Sequence, residues 1–339
     1  MKHMTKAALC AAIMAFALPQ GAMADASHQP DDHAPIAVMG DHNHKKGEWM
    51  LSYRYSQMSM SGNQDGTTEL TPAQVRAQGF GMAPIEMDME MHMFGGMYGV
   101  SDTLTVMAML PYIRKEMLME NGALARARTS NEGFGDVKVS GLYTLAEAQK
   151  GDINHKWLMK FGLSLPTGEV DGRGTTLMGP GNKLPYGMQL GSGTFDPMFA
   201  VTYTQSRPEW SFGAQANTVI RLGENSEDYR FGNRVGATTW VARNLNQNVS
   251  VSARLTGEVW DDISGEDSDL NPLMSPSMRA DLRAGERLDA SIGVNYMHQT
   301  GALAGHRLAA EFFVPVYENF DGPQLQRDYR LVLGWQKAF

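Results

Sequence analysis

The sequence predicts an all-β chain folded as a transmembrane, antiparallel up-and-down β-barrel of about twelve strands. Three observations lead there. Segments in which apolar and polar residues alternate recur from Gly47 to the end of the chain. The links between them are mostly long and short in turn, as short turns on one side of a membrane and longer loops on the other require. The last segment, DYRLVLGWQKAF at 328–339, puts Tyr329, Leu331, Leu333, Trp335 and Phe339 on one side of an extended strand.

The chain opens with a signal peptide over 1–24. Lys2, His3 and Lys6 give a positive start, 7–18 an apolar stretch, and Ala22-Met23-Ala24 a small-residue cleavage site. The single cysteine, Cys10, falls inside it, so the exported chain carries no disulfide. No later apolar run reaches the roughly 18 residues of a membrane helix. The net charge of -8 argues against nucleic acid as a partner. Residues 25–46 read as an irregular, polar periplasmic arm, with His28, His33, His42 and His44 among Asp31, Asp32 and Asp41.

The barrel follows over 47–339. Trp49, Leu51, Tyr53 and Tyr55 oppose Met50, Ser52, Arg54 and Ser56. Met87, Met89, Met91 and Met93 oppose Asp88, Glu90 and His92, and Val106, Leu110 and Tyr112 oppose Thr105, Met107 and Met109. Val139 and Tyr143 oppose Asp136, Lys138 and Ser140; Trp157, Phe161 and Leu163 oppose Lys160 and Ser164. Phe199, Val201 and Tyr203 form the next face, then Phe212 and Ala214 against Gln215 and Asn217. Val235 and Val241 oppose Arg230 and Arg234; Val251 and Leu255 oppose Arg254 and Glu258. Ile292 and Val294 oppose Asp289 and Asn295; Phe312 and Val314 oppose Arg307 and Glu311. Links at 61–86, 116–133, 166–188 and 261–286 are long, and those at 99–102, 205–209, 244–248 and 299–305 short.

The apolar faces should meet outer-membrane lipid, Met87 to Met93 among them. An Arg or Lys facing lipid near midplane costs about 2–4 kcal/mol. The charged faces must therefore line a lumen: Arg54, Glu90, His92, Lys138, Lys160, Arg230, Arg234, Arg254, Glu258, Arg307 and Glu311. The cationic excess there favours anionic or polar solutes.

Three short stretches, SLPTG at 164–168, QLGSGTFD at 189–196 and FDGPQL at 320–325, together with the barrel pattern, resemble the MetA-pathway of phenol degradation family of outer-membrane transporters. The resemblance spans about 47–339. It implies a bacterial outer-membrane channel, in some cases one encoded beside aromatic-degradation enzymes. A terminal aromatic such as Phe339 resembles the closing residue of bacterial outer-membrane barrels, which implies recognition by the barrel-assembly machinery.

Methionine crowds the first strands, with Met58, Met60 and Met82 near the first loop. Thioethers suit Cu(I), and imidazoles suit Cu(II) or Zn(II). His42-x-His44 puts two rings on one side of an extended arm. Met58, Met60, Met82, His42 and His44 are therefore candidate copper ligands, although no resident cofactor is expected. No nucleophile elbow or other catalytic motif surrounds the later histidines, so no enzyme activity is expected. Two functions follow: a passive channel for small solutes, or a non-conducting copper-binding barrel that uses the arm and first loop.

Overall fold

The computed structural model describes residues 29–339, and eleven antiparallel strands among them close into a ring. The signal peptide and His28 lie outside the described residues. The barrel strands are β1 (Trp49–Gly66), β2 (Met82–Ser101), β3 (Leu104–Asn121), β4 (Lys138–Lys150), β5 (Ile153–Ser164) and β6 (Asp196–Ser206). They continue as β7 (Trp210–Val219), β8 (Arg234–Asn244), β9 (Val249–Trp260), β10 (Gly285–Met297) and β11 (His306–Ala338). Each pairs with its chain neighbour, and β11 closes the ring on β1 from Met50↔Ala338 upward. No helix among the described residues is long and apolar enough to cross a membrane.

β11 holds 33 residues, which laid straight would run to about 110 Å. It folds back instead. Its first part pairs with β10 as far as Gly285↔Phe320, and its second part pairs with β1. Phe312 stacks on Tyr329 at 5.8 Å. The turn uses Gly322 at φ +91°, where a Cβ would lie 2.7 Å from Leu282. The wall is thus crossed twelve times, as the alternation predicts.

Exposed apolar residues such as Leu51, Phe94, Val139, Phe161, Val201, Val251, Ile292 and Phe312 cover the outside. Near the short turns they give way to aromatics. Trp49 packs on Tyr98, Trp157 on Tyr203, and Trp335 Nε1 donates to His306 Nδ1 at 3.0 Å. This belt matches the interfacial girdle of an outer-membrane barrel.

The longer links are partly structured. Arg126–Phe134 extends the wall beside β3, and a capping box between Thr71 and Gln74 starts the helix Pro72–Ala77. Over the long-loop end, Tyr186, Met188, Tyr229, Ile263, Leu270 and Met278 gather with Met82, Met117 and Met119 into a buried apolar lid.

The arm departs from expectation. It is irregular, but it sits inside the barrel rather than beside it. Ala34, Ile36 and Val38 are buried against Ala309, Phe313, Val332 and Trp240. An irregular backbone in such a place needs side-chain partners, and the wall supplies them. Ile36 O accepts from Arg54 Nε at 3.0 Å and Ala34 O from Arg307 at 2.7 Å. Ala37 N donates to Glu311 Oε2 at 3.0 Å, and Met39 O accepts from Gln215 at 3.1 Å. The arm then leaves by the short-turn end, where His44 N donates to Thr105 Oγ1 at 2.8 Å.

Candidate functional site: a chamber between lid and arm

Strand register decides which side chains reach the lumen, since residues directly opposite share a face. On β1, Ser52, Arg54 and Ser56 are buried inward and Tyr53 and Tyr55 point out. β2 pairs Met93 with Arg54, Met91 with Ser56, Met89 with Met58 and Met87 with Met60. All four methionines therefore face the lumen, which corrects the expected lipid-facing placement.

The same register turns Glu90 and His92 outward, opposite Gln57 and Tyr55. His92 Nδ1 lies 2.7 Å from the Tyr53 hydroxyl. Neither residue is lumen-lining. Glu90 lies about 26 Å along the wall from Trp49, at the rim of the apolar band. Above it Glu86, Asp88, Glu116 and Glu132 pair with Arg128 and Arg114 outside the membrane. The physical reason is height: an acid may face outward once the strand has cleared the hydrocarbon.

β3 continues the thioether sector. Met117 and Met119 at its top, and Met107 and Met109 at its base, are buried inward. Met50, Met97, Met107 and Met109 form a cluster with Leu142, against which Met39 of the arm packs. A methionine seam thus descends from lid to arm on β1–β3.

The other wall is basic. Arg234 lies 3.3 Å from Glu258 and over the Trp260 ring at 5.6 Å. Arg287 meets Glu258, Asp289 and Glu318, each at 3.4 Å. Arg327 holds Asp289 at 2.7 Å, and its Nε donates to Met58 Sδ at 3.2 Å, where the two walls touch. Burial draws Arg283 down to about 10, which leaves it charged at neutral pH. Lys115 gives its ammonium to the carbonyls of Gly187 and Gln189.

Between these walls lies a cavity of about 420 Å³. Met58, Met60, Met87 and Met117 border it on one side, and Arg221, Arg234, Arg283, Arg287 and Arg327 on the other. Lid residues Tyr186 and Met188 roof it.

Other expected lumen residues have different work. Arg54, Arg307 and Glu311 are buried and grip the arm, and Arg254 pairs with Glu311 at 2.7 Å. Lys138 and Lys160 point inward, opposite Met109 and Leu142. Arg230 is not in the lumen: it is exposed in the short ladder Tyr229–Arg230 with Ser264–Gly265, because its segment joins the lid rather than β8. Met82 is buried in the lid.

Two of the three quoted motifs meet at one latch. Asp136 accepts from Ser192 N, Ser192 Oγ and Gly168 N at 2.8, 2.7 and 3.0 Å. Asp196 Oδ2 also lies 2.9 Å from Ser192 Oγ, sharing its single hydroxyl proton. SLPTG and QLGSGTFD thereby tuck the longest loop into the barrel mouth. A Cβ on Gly168 would lie 2.6 Å from Gly191 Cα, so the two backbones touch.

Sequence reasoning missed Lys115, Arg221, Arg283, Arg287 and Arg327 because it placed them in or near loops. The parity of Arg287 with Asp289 was the available signal. It also missed His33 as a neighbour of His42, whose rings meet at 4.4 Å. Burial holds His33 well below its ordinary range and His44 down at about 3. Both rings are neutral at pH 7. Burial works against ionised Asp41, yet the adjacent His42 keeps its carboxyl below the usual range.

The family described as MetA-pathway of phenol degradation matches residues 83–312. Among solved structures, an outer-membrane channel from Pseudomonas putida F1 aligns with a TM-score of 0.61 at 12% identity, over 89% of this chain and 100% of that one. The P. putida toluene transporter TodX aligns with a TM-score of 0.40 at 10% identity, over 86% of this chain and 90% of that one. No curated protein matches in sequence. The family match and the closed barrel place the chain in the bacterial outer membrane.

Proposed function

We propose that this chain, which belongs to the MetA-pathway of phenol degradation family, is a passive outer-membrane channel for small organic anions with an apolar body. The chamber carries this reading. Thioethers give a flexible apolar surface that adapts to flat or irregular solutes. The guanidinium wall offers planar donors suited to a carboxylate or phenolate. At about 420 Å³ the chamber has room for a single-ring solute, and the family's name points to that class. No covalent step is needed: solute enters under the lid, exchanges water for the two walls and leaves as the arm yields.

Planar-bilayer recording of the refolded mature protein in a salt gradient tests this. Discrete steps with a reversal potential on the anion side support the channel. A cation-side reversal potential contradicts the role given to the arginines. The seated arm favours a second reading, a non-conducting metal-binding barrel that takes copper on its histidines and thioethers. Silence from a folded protein, with and without its arm, would favour that reading.

A further inference from the structure

Beneath the chamber, the arm brings together three histidines that the channel reading does not use. One ligand atom from each of His33, Asp41 and His42 lies within 4.8 Å of the other two. His44 joins them, its ring 5.1 Å from that of His42. Each ring keeps one buried nitrogen without a hydrogen-bond partner: His33 Nδ1, His42 Nε2 and His44 Nε2.

For two of them the other nitrogen faces a carboxylate. His42 Nδ1 lies 3.0 Å from Asp41 Oδ1, and His44 Nδ1 lies 3.6 Å from Glu48 Oε2. A carboxylate behind an imidazole fixes the tautomer and pushes the far lone pair forward, as in the outer shell of metal-bound histidines. Asp41 is itself held, its Oδ2 accepting from Ala34 N at 2.8 Å. Unpaired buried polar atoms are costly, and three at one place are poorly explained by packing alone.

We propose that His33, His42 and His44, with the Asp41 carboxylate held behind His42, form a site for a borderline divalent transition ion, Cu2+ or Zn2+, that staples the arm into the lumen. Imidazole nitrogen suits both ions, and Cu2+ binds the more tightly of the two. The ion would join the chain before residues 34–40 to the chain after them. That segment carries the contacts to Arg54, Glu311, Arg307 and Gln215. A ligand that binds only the seated arm stabilises seating by mass action, so the ion would hold the channel closed.

Equilibrium dialysis of the refolded mature chain against Zn2+ or Cu2+ alone tests the site. One tightly held ion per chain is expected. His33→Asn and His42→Asn should each abolish tight binding, and Asp41→Asn should weaken it about 10–100-fold. His298→Asn, on the outer surface beside Tyr296, should change nothing. Electron paramagnetic resonance of the Cu2+-loaded chain should show imidazole nitrogen coupling that diminishes in His44→Gln. Parental affinity in His33→Asn, or no tight binding by the folded parent, would overturn the proposal. Dialysis needs no conduction, so a silent bilayer would count against the channel while leaving the ion site standing.

Discussion

The sectors β1–β3 and β8–β11 share one pleat period and use it differently. On β8–β11 the inward positions include many charges: Arg234, Arg254, Glu258, Arg287, Glu311 and Arg327. On β1–β3 the inward positions are mostly thioethers, and the acids Glu86, Asp88 and Glu90 face out above the lipid. Alternation gives the period of a strand. The sign of each face depends on what that height of the strand meets. Methionine, apolar yet adaptable, serves on either side of a wall. One sector thus offers an apolar track and the other a field of positive charge.

The strongest way to break this contrast is to discharge the basic wall. Arg287→Ala removes a cation, leaves Glu258 to Arg234 and Asp289 to Arg327, and takes from Glu318 its ion pair. A loss of about 1–2 kcal/mol of attraction corresponds to roughly 5–30-fold lower flux of an aromatic carboxylate, together with a reversal potential displaced toward cations. Arg234→Ala should move it the same way, whereas Arg230→Ala on the lid should not; bilayer recordings of both variants check the difference.

Charging the apolar wall comes next. Met60→Asp places a carboxylate in the chamber. Repulsion on the order of 1 kcal/mol should slow anion uptake about five-fold in liposomes. Met60, Met87 and Met117 changed together to leucine keep volume and apolarity, so uptake should change less than about two-fold; a large fall would mean that sulfur itself is needed. The smallest effect belongs to the outer face. His92→Leu should leave conductance unchanged and cost about 1 kcal/mol through the lost Tyr53 contact, seen as a modest drop in Tm.

Much of the barrel was legible because lipid forces alternation on every crossing and short turns repeat at one end. The twelve crossings, the outward aromatics and the inward Arg54, Arg254, Arg307 and Glu311 follow from that rule. The methionine strand was not legible, because Met87, Met89, Met91 and Met93 are the apolar members of a strand whose acids Glu86, Asp88 and Glu90 reach or clear the rim of the apolar band. The arm was hidden by its composition: Ala34, Ile36 and Val38 are a short apolar stripe within a His- and Asp-rich segment. Only the three-dimensional closure shows that this stripe has a lumen to fill. Arg287 and Arg327 were lost to loop boundaries, since both strands run further than the lipid-matched alternation.

On the proposed function, a conducting barrel is corked by its own arm. Single-channel conductance of the mature chain beside a chain lacking residues 29–46 tests it most directly. Small or infrequent anion-preferring steps are expected from the first and larger, sustained ones from the second. Equal conductance from the two folded proteins, or none from either, would contradict it.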